Sequence, residues 1–323
     1  MEQKTTRIPL WDNLKFYLIV LVVIGHFAEA AGTSHLLRSV FLFIYAFHMP
    51  AFFFVSGLFH SNRNIAPKVA SFLALYILMK AIIYLELLLM GKKPSFSLFS
   101  ESGIPWFMFA MAVFTLLRFL FRNVEPRFLL IFSLLSACFA GYDPAVGDTF
   151  VLSRILVFFP FYLLGSIIDH ERLMSLRQIK PLRVLAAFIL LIWGFICLFL
   201  LDKVYPLRPL FTGRNPFPDA FLPYGAVWRL LCYAISVLLV FACVLLVPGG
   251  SSFTSRFGGR TLQVYFWHRI VLYVLQYFGV PDYFHSLPLQ IVWLLLSIPL
   301  VLLLSLKPFG FPAATVMQNR RLK

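Results

Sequence analysis

Ten mostly apolar stretches succeed one another along this chain: 12–30, 37–59, 69–90, 104–121, 127–141, 150–168, 182–201, 226–247, 261–279 and 288–306. About 20 apolar residues suffice for a helix to cross a bilayer. A backbone in hydrocarbon must satisfy its own hydrogen bonds, so segments of this kind fold as helices. The expected fold class is therefore all-α: a polytopic membrane protein with about ten transmembrane helices, forming a single integral-membrane domain over 1–323 with no appended soluble domain. Composition agrees, since 61% of the 323 residues are hydrophobic and only 13% are charged, against about 25% charged in soluble domains.

The formal charge of +15 first suggests nucleic acid, but the basic residues are strung out between apolar segments instead of gathering into a patch interleaved with stacking aromatics. No nucleic-acid partner is expected. Topology accounts for the charge better. An even number of spans puts both termini on one side, and the connections on that side hold most of the Lys and Arg, among them Lys4, Arg7, Arg63, Lys68, Arg122, Arg172, Arg177, Arg256, Lys307, Arg320, Arg321 and Lys323. The opposite connections hold Arg38, Lys92, Lys93, Lys203, Arg208 and Arg214. Basic residues favour the cytoplasmic face, so both termini are expected in the cytoplasm.

Ala28-Glu29-Ala30 imitates a signal-peptide cleavage site. The preceding apolar run is too long for such a leader and holds Lys15 and His26, so it reads as an uncleaved first span. Cys138, Cys197, Cys232 and Cys243 all fall within spans without metal-ligand spacing and read as small apolar core residues. No metal site is expected. The connection 202–225 contains five prolines and is not expected to be helical; it either covers an outward-facing site or packs between helices.

Ionisable groups inside a span cost about 2.5–3.5 kcal/mol or more near its centre and default to a functional reading. The first span holds three: Asp12, Lys15 and His26. Eleven residues at 100° each bring His26 back to within about 20° of the direction of Lys15, roughly 16 Å further along the axis. Asp12 sits one turn before Lys15 and is placed to neutralise it. With the N-terminus inside, Asp12 and Lys15 mark a cytoplasmic mouth and His26 a deep point, where a neutral imidazole can accept a proton from a hydroxyl.

Four more residues are candidate substrate contacts. His48, in His48-Met49-Pro50, either satisfies backbone groups freed by the proline or touches substrate. Arg154 and Arg229 open the sixth and eighth spans and either snorkel or hold a polar acceptor. His268 closes the run T-L-Q-V-Y-F-W-H and either packs or joins the site. Lys80 and Glu86 lie on different faces of the third span, each in need of a partner elsewhere. Ser56-Gly57 permits close helix approach.

Taken together, D-N-L-K followed by ten residues and His26, F-H-M-P-A-F-F-F-V-S-G at 47–57, I-P-W-F at 104–107, F-F-P-F-Y-L-L-G at 158–165 and T-L-Q-V-Y-F-W-H at 261–268 resemble acyltransferase family 3, in the right order over nearly the whole chain. The resemblance implies a ten-helix enzyme of a bacterial cytoplasmic membrane. Such an enzyme takes an acyl group, usually acetyl, from cytoplasmic acetyl-CoA to a hydroxyl of a sugar, polysaccharide or glycolipid. It implies that Lys15 and His26 are the family's first-span basic residue and histidine, and that Arg63 or Lys68 meets the CoA phosphates. Lysine at 15, where many members have arginine, is similar to the fucose O-acetylase-like branch and lacks the bidentate fork.

On this reading His26 is the general base, assisted by Asp12 and Lys15. No G-x-S-x-G elbow is present, so direct transfer is simpler than a serine acyl-enzyme, and an acyl-histidine relay is the variant. The rival function is a transporter or exporter of a polar or lipid-linked compound, with Lys15, His26 and Glu86 lining the path. The paired broken halves common in transporters are not visible in this sequence.

Overall fold

The computed structural model describes residues 8–101 and 103–318, and apart from short 3-10 turns its regular structure is α-helical. In chain order the helices are α1 (Pro9–Ala30), α2 (His35–Tyr45), α3 (His48–Leu58), α4 (Ile65–Leu89), α5 (Trp106–Leu120), α6 (Pro126–Phe139), α7 (Leu152–Ile167), α8 (His170–Leu176), α9 (Lys180–Phe199), α10 (Leu201–Val204), α11 (Arg208–Phe211), α12 (Gly225–Leu246), α13 (Thr261–Tyr277), α14 (Leu287–Leu304) and α15 (Ala313–Gln318). Among the described residues no strand forms; Ser100 and Thr149 make one isolated bridge. Lys4, Arg7, Arg320, Arg321 and Lys323, which entered the topology argument, lie outside the described residues.

Six helical stretches are long and apolar enough to cross a membrane: Pro9–Ala30, His35–Leu58, Ile65–Leu89, Lys180–Phe199, Asp219–Leu246 and Leu287–Leu304. A seventh candidate, α7 followed by α8, bends by 88°. The expected segments at 104–121, 127–141, 150–168 and 261–279 are also helical, but α5, α6, α7 and α13 are only 14–17 residues long. The chain is an all-α membrane protein. Its outward faces carry Phe128, Phe132, Leu185, Phe188, Leu191, Ile192 and Phe195, each more than half exposed. So much exposed apolar surface is stable against lipid and not against water.

Local chemistry sets the helix starts. Pro9 opens α1, where its missing N–H would be unpaired anyway. The Ser34 hydroxyl accepts from Leu37 N–H to cap α2, and Glu125 accepts from Arg127 and Phe128 N–H to cap α6. The second expected span is broken between α2 and α3 at Ala46-Phe47, ahead of Pro50. Pro50 lacks the N–H that would bond Ala46 O, and the Ser236 hydroxyl of α12 donates to that carbonyl instead at 2.5 Å.

The broken second span is 67% buried and α1 56%, against 17% for α9 and 22% for α4, so the first two spans lie at the centre with α7, itself buried over most of its length, while α4 and α9 lie at the edge. α3 and α7 are pressed together through two glycines. A Cβ on Gly57 would collide with the Tyr162 carbonyl, and one on Gly165 with the Phe54 carbonyl, as expected for small residues at a close helix crossing. Connection 202–225 departs from expectation: α10, α11 and the 3-10 turn Asp219–Tyr224 make much of it helical, with Pro206 and Pro209 in first turns, where they are tolerated, and Pro218 just ahead of its turn.

Candidate active site

Two cavities meet inside the bundle, and α1 runs along both. The first, about 290 Å³, is a polar chamber whose walls include His26, Glu29, Tyr45, His48, Trp106, Arg154, Arg208, Arg214 and Arg269. The second, about 200 Å³, is apolar apart from Lys15, Ser56, Thr261 and Tyr265, and is walled mainly by Phe52, Phe72, Phe107 and four methionines. Val22, Met49 and Tyr265 line both cavities, so these three side chains form the wall between them. Lys15 and His26 therefore line adjacent cavities along one side of α1, as their helical spacing requires.

At the Lys15 end, the ammonium lies 2.9 Å from Asp12 and remains 31% exposed, while Asp12 is buried. The adjoining Asn13 is fully buried. Its amide donates to Pro248 O and Gly250 O at 2.8 and 2.9 Å, and its carbonyl accepts from the Ser252 and Thr254 hydroxyls at 2.6 and 2.7 Å. This clamp ties the α12–α13 loop to the start of α1. Phe59 packs edge-on to Trp11, 5.8 Å between ring centres, so the turn carrying Arg63 and the base of α4 stand at this same end. Lys68 donates to Ser61 O at 2.8 Å and Arg63 is exposed; neither lines the two cavities.

At the His26 end, Nδ1 of His26 lies 3.4 Å from Glu29 Oε2 and 3.2 Å from the Tyr45 hydroxyl. When Nδ1–H donates to the carboxylate, Nε2 holds the lone pair. Glu29 also meets Arg208 at 3.5 Å and Arg269 at 3.8 Å, so one carboxylate links α1, α13 and the 202–225 connection. The His268 ring lies 5.3 Å from that of His26. His268 is fully buried, its Nδ1–H donates to Val264 O at 3.0 Å, and its Nε2 has no hydrogen-bond partner.

The His48 Nδ1–H donates to Ile44 O at 2.9 Å, which satisfies a carbonyl at the α2–α3 break, and the same ring lines the chamber. His48 thus braces the break and faces the chamber, while the carbonyl that Pro50 itself frees, that of Ala46, is bonded by Ser236. Arg154 is buried, lies over the Trp106 ring and lines the chamber. Arg229 goes elsewhere. It is buried behind the chamber, donating to Leu210 O at 2.7 Å and Asn215 Oδ1 at 2.8 Å, so it braces the connection that carries Arg208 and Arg214. Lys80 finds Glu101 at 2.7 Å, outside the site.

Glu29, Tyr45 and the loop arginines were not singled out from sequence. Glu29 had one usable signal, its i,i+3 spacing from His26, which puts the two on one helical face. The loop arginines had none, since nothing local says that 202–225 folds back over α1. The described residues hold no group of three or more His, Cys, Asp or Glu arranged to bind a metal.

A polar chamber with a histidine–carboxylate pair, beside an apolar cavity, has the groups to bring a hydroxyl and an acyl carbonyl together. No curated protein and no solved structure matches the chain. A family model described as an acyltransferase domain matches residues 8–306, and the chain belongs to acyltransferase family 3.

Proposed function

We propose that this membrane acyltransferase moves an acyl group, most simply acetyl, from cytoplasmic acyl-CoA to a hydroxyl of a sugar, polysaccharide or glycolipid. The observation that carries the reading is the shared wall of Val22, Met49 and Tyr265 between the Lys15 cavity and the His26 chamber. A long, narrow donor entering beside Lys15 would present its thioester where the two spaces join. All ten expected segments cross the membrane on this reading, with both termini in the cytoplasm, and the membrane is the bacterial cytoplasmic one. Lys15, with Arg63 or Lys68 at the same end, meets the donor's phosphates. Lysine at 15 favours the sugar O-acetylase branch.

His26 Nε2 accepts the proton of the acceptor hydroxyl as its oxygen bonds to the thioester carbonyl carbon. The tetrahedral intermediate then breaks its C–S bond. The proton passes from the imidazolium to the departing sulfur, giving the ester and free CoA. Glu29 orients the imidazole and stabilises its charged form, Asp12 orients Lys15, and His48, Arg154 and His268 shape the acceptor side, with Arg229 supporting it from behind.

The test is transfer of labelled acetyl from acetyl-CoA to a sugar acceptor by purified protein. His26→Ala should lower turnover by about 10²–10⁴ while insertion and melting are unchanged. Normal transfer by that variant would remove His26 from the chemistry. Movement of substrate across proteoliposomes without acyl-CoA would instead identify a transporter.

A further inference from the structure

The chamber at the His26 end is strongly unbalanced in charge. Four arginines line it, Arg154, Arg208, Arg214 and Arg269, with one carboxylate, Glu29. Glu29 is already shared between Arg208 and Arg269. Arg214 is near enough to act electrostatically on Arg154, and although Asp148 and Glu101 act on Arg154 with the opposite sign, neither lines the chamber. Glu101 is moreover held by Lys80 at 2.7 Å.

Three of the guanidiniums lie over aromatic rings of the same chamber. Arg154 is 5.0 Å from the ring centre of Trp106, Arg208 4.8 Å from Phe41 and Arg269 4.6 Å from Tyr273. Cation–π contact fixes a guanidinium through its face. A guanidinium held this way presents its in-plane N–H groups in the fork geometry that fits carboxylate and phosphate oxygens. The chamber thus holds several pinned, planar donors, and its lining carries four guanidiniums against one carboxylate.

We propose that the acyl acceptor carries a fixed anionic group, a carboxylate or a phosphate, beside the hydroxyl that is acylated, and that the arginines of this chamber receive it. The inference rests on reading the chamber as the acceptor side of the acyl transfer. A neutral sugar would leave the excess positive charge in place, whereas an anionic one neutralises it and is fixed in register with His26.

The test is equilibrium binding to the purified full-length protein in detergent, with three probes: α-D-glucose 1-phosphate, methyl α-D-glucopyranosiduronate and methyl α-D-glucopyranoside. At least one anionic probe should bind about tenfold or more tightly than the neutral glycoside, and which one does so separates a phosphate from a carboxylate source. Arg214→Gln and Arg208→Gln, both at solvent-accessible positions, should each weaken that binding about tenfold with unchanged melting temperature. Failure of both anionic probes, equal binding of the neutral one, or variants that bind anions normally would overturn the proposal. Loss of CoA affinity in the variants with sugar affinity intact would overturn it too, assigning the arginines to the donor. Acetyl-CoA turnover on the same preparations separates the two readings. Anion binding without any acyl transfer would sink the transferase reading, and transfer to neutral acceptors alone would sink the anionic one.

Discussion

Glu29 Oε2 lies 3.4 Å from His26 Nδ1, one turn further along α1, and its other oxygen lies 3.5 Å from Arg208 Nη2. One carboxylate therefore fixes the ring of the proposed base and anchors the connection that closes the chamber above it. A charge-assisted hydrogen bond exceeds a neutral one by about 1 kcal/mol or more, which is about tenfold in rate if the difference is expressed in the transition state.

Glu29→Gln keeps a hydrogen-bond acceptor beside His26 but removes the charge. It should lower kcat for acetyl transfer about tenfold and leave the KM for acetyl-CoA near the wild-type value, because the proposed donor entrance is at the other end of α1. Steady-state kinetics with both substrates varied decide the matter. A change confined to KM for the donor would contradict the assignment of Glu29 to His26.

Val22 is a wall of both cavities and is buried. Val22→Phe should narrow the place where they join, at a stability cost of about 1–3 kcal/mol from overpacking. Acyl transfer should fall steeply, while binding of a sugar probe in the chamber is retained. Unimpaired transfer would mean that donor and acceptor do not meet through this opening.

Gly57 and Gly165 let α3 and α7 touch through their backbones. Gly57→Ala places a methyl against the Tyr162 carbonyl, which is backbone and cannot swing aside. A loss of about 1–3 kcal/mol should lower the melting temperature in detergent. Ser56→Ala, whose hydroxyl donates to Phe52 O one turn back at 2.8 Å, should change it far less. Equal melting of the two variants would argue against the close crossing.

His60, just beyond α3, accepts from the Tyr162 hydroxyl at 2.8 Å and donates to Asn62 Oδ1 at 2.9 Å, an arrangement that needs the neutral ring. Burial lowers its pKa below the ordinary 6.5, against the Asn62 hydrogen bond, and the charges of Arg118 and Lys68 lower it further. As pH falls below about 6.5, the unfolded chain takes up a proton that the folded chain resists, so stability declines on acidification. Melting curves between pH 7.5 and 5 should show this decline, and His60→Gln should flatten it. An unchanged slope in that variant would place the effect on other groups.

What the chain determined by itself is what depends on neighbours along one helix. Apolar length made the helices, periodicity put Lys15 and His26 on one side of α1, and the i,i+3 spacing paired Asp12 with Lys15. The same arithmetic relates His26 to Glu29, a pair that the structure brings to 3.4 Å.

Tertiary structure alone decided which helices face which. It brought His268 against His26, sent Arg229 to brace a loop instead of lining the chamber, and folded Arg208 and Arg214 over the end of α1. It also placed the break of the second span at Ala46-Phe47, where Ser236 from a helix 190 residues away supplies the donor that Pro50 lacks. The physical reason is common to all four. A membrane helix is stable in hydrocarbon with any face outward that is apolar enough, so its sequence states which residues share a face but not what that face meets. The partner is chosen by close packing and by the need to pair every buried polar group, and both are properties of the assembled bundle.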